Sequence, residues 1–156
     1  MTNKVTTENL SLVLDEQYEG DPAKGFPPSC TFQIQLRSTG ERIGHVTIRV
    51  GNDIVLREYA GHISYGIDEA HRGHRFAAEA CKAILPIANS LGIDPIRITA
   101  DPDNVASRRT CELAGGKYLG DVDVPPGNYV YENGGRRKSR YEFSASGPTK
   151  NPNATA

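Results

Sequence analysis

A short basic turn between a strand and a helix constrains this sequence more than any other feature. Residues 71–77 have the sequence HRGHRFA and follow an apolar strand pattern that ends at Ile67. The first backbone N–H groups of a helix have no intrahelical partner, and the helix dipole adds partial positive charge there. A turn of this kind can therefore bind a phosphate or a pyrophosphate. The alternative interpretation is a solvated turn in which Arg72 and Arg75 have no ligand.

Composition excludes several classes of function. The chain has 156 residues, with 18 Lys and Arg against 19 Asp and Glu and a formal net charge of −1. This balance gives no overall attraction to nucleic acid or membranes, so that any basic site must be local. No apolar run approaches the ~18 residues that a membrane span requires. Three widely spaced cysteines, Cys30, Cys81 and Cys111, form no metal-binding pair and favour a reducing, cytoplasmic setting. No metal site is expected.

Alternating or short apolar segments predict seven β-strands. They cover residues 9–16, 30–36, 42–50, 59–67, 95–100, 117–124 and 139–143. Two adjacent segments, 30–36 and 42–50, predict an antiparallel hairpin. The order strand, helix, strand over residues 59–100 predicts a central β-α-β unit with a parallel strand pair. With a further helix and hairpin, the order predicts an α/β or α+β fold with a mixed sheet.

Two helices follow the strand that ends at Ile67. Apolar spacing predicts the first at about 74–91, and Pro86 predicts a kink or an early end near Leu85. The second has Asp103 or Asn104 as its N-cap and stops at two consecutive glycines.

Segment composition predicts one folded domain between two loose ends. Residues 1–8 are polar and predicted to be flexible, and residues 9–143 carry all the strand and helix patterns. Residues 144–156 are small and polar and predict a disordered C-terminal tail.

A second motif lies one helix and one strand after the basic turn. Alone, it predicts only a helix that is capped at Asn104 and stops at Gly115. Together, the two motifs resemble the GNAT superfamily of acyl-CoA-dependent N-acyltransferases over about residues 61–118. The superfamily's second block is matched by Asn104, Ser107, Glu112 and Gly115.

The pyrophosphate loop of this superfamily is matched incompletely. Its pattern, Q/R-x-x-G-x-G/A, fits at Arg72 and Ala77, but Arg75 occupies the position of the first glycine. Arg75 could crowd the loop or point outward and add charge next to the phosphates; we favour the second interpretation.

The resemblance implies a single-domain GNAT-like fold with a mostly antiparallel sheet and flanking helices. The sheet would splay between the strand before the turn and the strand after the first helix, and acetyl-CoA would bind in the gap as co-substrate. Turn amides would hold the pyrophosphate, and Asn104 would hydrogen-bond the pantetheine. The cofactor-binding residues implied in this way are Ile67, Arg72, Gly73, His74, Arg75, Phe76, Ala77, Asn104 and Ser107.

The catalytic residues remain open at this point. Amide formation needs a neutral amine, so that a base or a water chain must remove a proton. His62 and Glu58 are the candidate bases, although His62 lies on the opposite strand face from Ile63 and can equally be a sheet-face histidine. Many relatives use a tyrosine of the second helix as acid, and by register this chain has Cys111 there. The acid is therefore missing, replaced by Cys111, which can equally be a core residue, or supplied by Tyr118.

These features predict an N-acetyltransferase that moves an acetyl group from acetyl-CoA to a primary amine of a small molecule, peptide or protein by direct transfer. The alternative is a non-catalytic CoA-binding or sensor module. The loops at 19–29 and 125–135 are the places to expect acceptor specificity. The basic run 136–140 could bind an acidic ligand, but without interleaved aromatic residues it gives little support to nucleic acid, and a solvated hairpin edge is the simpler interpretation. No membrane partner is expected, and a homodimer is left open.

Overall fold

The computed structural model describes residues 2–144, which form eight β-strands and three α-helices. The strands are β1 (Lys4–Thr6), β2 (Leu10–Tyr18), β3 (Ser29–Leu36), β4 (Arg42–Arg49), β5 (Ile63–Ile67), β6 (Ile96–Ala100), β7 (Lys117–Asp123) and β8 (Arg137–Phe143). The helices are α1 (Phe76–Ser90), α2 (Val105–Leu113) and α3 (Tyr129–Glu132). Short 3-10 turns lie at Pro22–Lys24 and Glu69–His71, and a π-helical turn lies at Leu56–Ala60.

The strands form two antiparallel sheets, one with the order β1-β2-β3-β4-β5 and one with the order β6-β8-β7. The predicted fold class is confirmed, with α1 as the helix of the central β5-α1-β6 unit. The predicted start of β5 at residue 59 is wrong, because the π-helical turn occupies residues 56–60 and β5 begins at Ile63.

The predicted parallel ladder between β5 and β6 is also wrong. The His62 N–H, just before β5, donates to the Arg97 carbonyl of β6 at 2.6 Å. The next donor, the Arg97 N–H, is taken by the His62 side chain, whose Nδ1 accepts it at 2.9 Å. Because a side chain stands where a strand backbone would pair, the ladder stops and the two strands separate. This is the splay that the family resemblance implied.

Helix α1 covers one face of the first sheet and carries much of the core. Ala80, Cys81, Ile84 and Ala88 are fully buried on it and join a cluster with Leu10, Leu12, Phe32 and Ile34 of β2 and β3. Complete burial of such an aliphatic side chain contributes about 1.5–3 kcal/mol.

Pro86 does not end α1, so the predicted early end near Leu85 is wrong. Helix α1 continues to Ser90 with Pro86 inside it. Because Pro86 has no N–H, the Lys82 carbonyl loses its helical hydrogen-bond donor. Both residues are exposed, so that water can hydrate this carbonyl. Ile84 and Ile87 are buried on either side of the proline and keep the helix packed on the sheet.

The N-terminal segment is tied to α1. Strand β1 lies within the residues predicted to be flexible and pairs with β2. The Glu79 carboxylate of α1 accepts hydrogen bonds from the Asn9 N–H (2.9 Å), the Asn9 side-chain amide (2.9 Å) and the Thr7 hydroxyl (2.5 Å). Of the predicted tail, residues 145–156 lie outside the described residues. Within residues 2–144, no helix is both long and apolar enough to cross a membrane.

Candidate active site

The gap between β5 and β6 is the central space of the candidate site. It is a cavity of about 200 Å³ whose walls are Ile63–Tyr65 on one side and Ile98–Asp101 on the other. Asn104 and Ser107 of the α2 region lie at one end of it and Lys138 of β8 at the other side. Because β5 is paired with β4 on its other edge only, its free edge presents backbone N–H and carbonyl groups to the gap.

A groove of about 410 Å³ continues from the gap to the basic turn. The two spaces share Tyr65, Asn104 and Ser107. Of the nine residues predicted to bind the cofactor, the groove is lined by Ile67, Arg72, Gly73, Arg75, Phe76, Ala77, Asn104 and Ser107. The structure therefore brings these eight together, while the His74 ring packs on Phe76 at a centroid distance of 5.3 Å instead.

Arg75 has the most unusual backbone in the turn. Its φ of 62° and ψ of 22° are left-handed, and no other non-glycine residue in the described part of the chain has a positive φ. This conformation costs an L-residue about 1–2 kcal/mol, whereas glycine adopts it freely. The residue that replaces the family's glycine therefore keeps the glycine's backbone shape, and its exposed side chain adds charge to the groove wall.

The start of α1 is open to a ligand. Arg75 is the N-cap of α1 and makes no side-chain capping bond, so that the first helical N–H groups are not capped by the residue before them. Arg72 fastens the turn to β5, because its Nε donates to the Ile67 carbonyl at 2.9 Å. Uncapped helix donors next to two arginines fit a pyrophosphate.

Asn104, rather than Asp103, caps α2. Its side-chain oxygen accepts the Ser107 N–H at 3.1 Å. The cap uses only the oxygen, so that the amide nitrogen can donate to a ligand in the groove.

Tyr65 lines both the gap and the groove, and the sequence did not single it out as a site residue. Its hydroxyl lies 3.7 Å from the Sγ of Cys111, 3.4 Å from the Ser107 hydroxyl and 3.3 Å from the Ser107 carbonyl, to which it donates. Burial and then the neighbouring Cys111 raise the pKa of Tyr65 well above its usual value. Burial likewise raises the pKa of Cys111 to about 11. Both groups therefore remain protonated near neutral pH.

His62 lies in the core between the two sheets. It is 1 % exposed, its Nδ1 accepts the Arg97 N–H, and its Nε2 lies 3.0 Å from the Gly51 carbonyl. These contacts define the neutral tautomer with the proton on Nε2. Burial lowers the pKa of His62, and the hydrogen bond to Gly51 opposes this only in part. The structure does not place this ring in the gap.

The other two catalytic candidates also lie away from the gap. Glu58, in the π-helical turn, contacts Arg97 at 3.5 Å and Arg140 at 2.5 Å and so joins that turn to β6 and β8. Tyr118 is 48 % exposed on β7, and its hydroxyl donates to Asp121 at 2.7 Å.

The basic run 136–140 is largely neutralised within the chain. Arg137 contacts Asp121 and Asp123 at 3.6 and 3.5 Å, and Lys138 contacts Asp101 at 2.7 Å. Arg140 contacts Glu58, and Arg136 stacks 3.6 Å over the Tyr131 ring. These partners support the structural interpretation for Arg136, Arg137 and Arg140, whereas Lys138 also lines the gap.

A second cavity, of about 320 Å³, adjoins the gap on the side away from the basic turn. It shares Ala60, Asp101 and Lys138 with the gap and adds Arg49 and the residues around α3. The ring of Tyr129 in α3 contacts Phe26 edge-to-face at 5.6 Å, so that the loops 19–29 and 125–135 meet beside this cavity. The sequence did not predict Arg49 and Asp101 as residues of a site. Their only signal was their position at the ends of predicted strands.

No group of three or more potential metal ligands occurs in the described part of the chain.

Comparison with known proteins gives a family and a fold. Residues 5–117 match the family described as Acetyltransferase (GNAT) domain. No curated protein sequence matches the chain significantly.

Three solved structures illustrate the structural likeness. An acetyltransferase from Agrobacterium tumefaciens C58 has 21 % identity and a TM-score of 0.62, and the match covers 92 % of this chain and 95 % of that one. A putative ribosomal-protein-serine acetyltransferase from Vibrio cholerae has 15 % identity and a TM-score of 0.63, with 92 % and 99 % covered. The microcin C7 self-immunity acetyltransferase MccE, in complex with acetyl-CoA and AMP, has 16 % identity and a TM-score of 0.55, with 74 % and 61 % covered.

At these identities the likeness shows the fold alone. For three matched structures, this chain spans 61 to 65 % of the other chain's length.

Proposed function

The chain belongs to the GNAT acetyltransferase family, and we propose that it moves an acetyl group from acetyl-CoA to a primary amine of a small molecule, peptide or protein by direct transfer. One observation carries this proposal. The gap between β5 and β6 opens at one end into the groove at the start of α1 and at the other end into a second cavity. A donor and an acceptor can therefore enter from opposite ends and meet at Tyr65.

The residues of the groove fit a pyrophosphate and a pantetheine. The uncapped N-terminus of α1 and the side chains of Arg72 and Arg75 supply donors and positive charge for the pyrophosphate. The free edge of β5 and the Asn104 amide supply hydrogen bonds for an extended amide chain. Among known structures of this fold, MccE is described as a complex with acetyl-CoA and AMP.

Acetyl-CoA supplies the activated acyl group, as a thioester whose carbonyl carbon the amine attacks. A backbone N–H on the free edge of β5 polarises that carbonyl oxygen. The Tyr65 hydroxyl turns its single O–H from the Ser107 carbonyl to the thiolate and donates a hydrogen bond to it as the C–S bond breaks. Its raised pKa means that it stabilises the thiolate without giving up its proton, because a thiol has a pKa of about 8.5 and would lose that proton again. The thiolate takes its proton from water.

None of the predicted bases lines the gap, and we assign His62 and Glu58 structural roles. The gap and the second cavity are lined by one carboxylate, Asp101, which is ion-paired to Lys138. We propose that the amine reacts from its neutral fraction and that its proton leaves through water. Asp101 then serves to hold the amine at the end of the gap.

The proposed acceptor is a primary amine of a small molecule, or of a peptide or protein, where it is a terminus or a lysine. The Vibrio cholerae structure is described as a putative ribosomal-protein-serine acetyltransferase, which keeps protein acceptors open for this chain. The cytoplasm remains the predicted setting, because all three cysteines are buried free thiols. A homodimer remains a prediction.

A non-catalytic CoA-binding module is the second candidate. It is favoured by Arg75 in the pyrophosphate turn and by the pKa of Cys111, which burial raises to about 11 at the position expected for an acid. Tyr65 favours the enzyme, since it places a hydroxyl donor at the same point.

Two measurements test these candidates. Acetyl-CoA at about 100 times its Kd should raise the free energy of unfolding by about 2.7 kcal/mol, which a thermal shift detects. No shift at saturation would overturn both candidates. Thiol release from acetyl-CoA with a panel of primary amines then separates them, because only the enzyme releases CoA in an amine-dependent way.

A further inference from the structure

We propose that the acceptor amine carries an anionic group, a carboxylate or a phosphate, that binds between Arg49 and Lys138 in the second cavity. The inference rests on the proposed acetyl transfer, because it concerns the molecule that receives the acetyl group.

The position of the second cavity makes it the acceptor side of the gap. It shares Ala60, Asp101 and Lys138 with the gap and none of its lining residues with the groove at the start of α1. A molecule bound there can place its amine beside Asp101, in the gap that Tyr65 also lines. The groove remains free for the donor.

Arg49 faces this cavity with its charge uncompensated. Its guanidinium donates to the Gly61 carbonyl at 3.3 Å and to the Ser64 hydroxyl at 3.2 Å, and both partners are neutral. No ion pair between described residues involves Arg49. A guanidinium has five N–H donors, so that donors remain for a ligand. Burial lowers the pKa of Arg49, as expected of a cation that is partly removed from water without an anion.

The other charges of the cavity leave it positive. Lys138 is ion-paired with Asp101 at 2.7 Å, and the Lys138 side chain is only 18 % exposed. The lining therefore has two cations, Arg49 and Lys138, and one carboxylate, Asp101, which gives a net charge of +1. The Tyr129 hydroxyl, on another lining residue, is buried and has no hydrogen-bond partner among residues 2–144.

This charge pattern matches a molecule with two ends. Asp101 suits an amine at the end of the gap, and Arg49 suits an oxyanion deeper in the second cavity, because charge-assisted hydrogen bonds to guanidinium are strong when water is excluded. An acceptor without an anion would leave the Arg49 charge partly buried and unpaired, which costs binding free energy.

Matched pairs of amines test the inference. One pair is 4-aminobutyrate and 4-aminobutyramide, another is O-phosphoethanolamine and ethanolamine, and a third is the tripeptide amides Ser-Asp-Ala and Ser-Asn-Ala. Each member of a pair has one primary amine, and only one member carries an anionic group.

Thiol release gives kcat/KM for both members, and the ratio within a pair does not depend on the fraction of folded enzyme. We expect the anionic member of at least one pair to be preferred by about tenfold or more, mainly through KM. The pair with the largest ratio distinguishes carboxylate, phosphate and peptide sources.

Charge-neutral variants assign the preference to the cavity. Arg49→Gln should reduce the ratio by about tenfold, and Lys138→Gln should reduce it less, since Lys138 already has a carboxylate partner. Arg42→Gln is the matched control, because Arg42 is an exposed arginine at the opposite end of the same strand, β4, and its ratio should not change. Acetyl-CoA thermal shift verifies that each variant keeps its donor site.

The outcomes separate the inference from the proposed function. Equal acetylation of both members of all three pairs, or a ratio that survives in Arg49→Gln, would overturn the inference and leave the acetyltransferase proposal intact. Binding of acetyl-CoA without thiol release with any amine would overturn the activity and the inference together.

Discussion

The hydroxyl of Tyr65 on β5 lies 3.7 Å from the Sγ of Cys111 on α2. A tyrosine donor thus reaches the point where the family resemblance implied one from the helix, but it does so from the strand on the other wall of the gap.

We predict that Tyr65→Phe lowers kcat by about tenfold or more with little change in the KM for acetyl-CoA. The ring still fills the gap, while the donor to the leaving thiolate is lost, and a hydrogen bond to a charged group is worth about 1.5–3 kcal/mol. Steady-state thiol release measures both constants.

Two variants serve as controls for this prediction. Tyr118→Phe should leave kcat unchanged, because Tyr118 is exposed on β7 and does not line the gap. Cys111→Ser should retain most of the activity, because a thiol with a pKa of about 11 is not expected to transfer a proton. A large kcat loss in Cys111→Ser with none in Tyr65→Phe would show that the acid is the cysteine.

We predict that Arg75→Gly raises the free energy of unfolding by about 0.5–1 kcal/mol. Relief of the left-handed strain gains about 1–2 kcal/mol, and the greater freedom of glycine in the unfolded chain offsets part of it. Urea denaturation measures the difference. The same change should weaken acetyl-CoA binding severalfold at low salt, because a cation leaves the groove.

Arg75→Lys separates charge from backbone shape. It retains the cation and the left-handed strain, so that both stability and acetyl-CoA affinity should stay near those of the parent protein. Tighter binding in Arg75→Gly, independent of salt, would contradict the role assigned to the charge.

The sequence predicted the fold well wherever local patterns decided it. Strand alternation and the two motif blocks were sufficient to place α1, α2 and the strands on either side of them. Predictions failed where a tertiary contact overrode a local rule. Burial of Ile84 and Ile87 carried α1 through Pro86, and the His62 side chain ended the pairing between β5 and β6. Neither contact has a signal in the spacing of residues.

The sequence predicted most residues of the groove at the start of α1 and the two loops that meet beside the second cavity, but not the residues that line that cavity. The groove at the start of α1 is built from the continuous basic turn and the capped helix α2, and both have sequence signatures. The second cavity is formed by residues of β4, the π-helical turn, the residue after β6, α3 with the residues after it, and β8, which are far apart in the chain. Arg49 and Asp101 line one cavity only because of the tertiary packing of the chain.

We predict that Asn104→Asp weakens acetyl-CoA binding and leaves stability almost unchanged. Aspartate keeps the oxygen that caps α2 at the Ser107 N–H, but it lacks the amide donor and adds a negative charge to the groove. Asn104→Ala should lose both, with a cost to stability of about 1 kcal/mol. Titration with acetyl-CoA and thermal unfolding measure the two effects. Unchanged affinity in both variants would mean that Asn104 is only a helix cap.

The final prediction concerns the carboxylate that ties the N-terminal segment to α1. Burial raises the pKa of Glu79, but its hydrogen bonds from Asn9 and Thr7 outweigh this, so that the pKa lies below its ordinary value. A depressed folded-state pKa contributes stability above the unfolded value of about 4.3, and this contribution is lost as the pH falls through the folded value.

Glu79→Gln should therefore lower the free energy of unfolding at pH 7 by about 0.5–1 kcal/mol, a range reduced for partial solvent exposure. Urea denaturation of both proteins from pH 7 to pH 3 should show the difference shrinking below about pH 4.3, because the carboxyl is protonated first in the unfolded chain and at lower pH in the folded one. Glu16→Gln, an exposed glutamate on β2, is the control and should show little difference at any pH. A Glu79→Gln difference that stayed constant across this range would mean that the carboxylate charge does not hold the N-terminal segment.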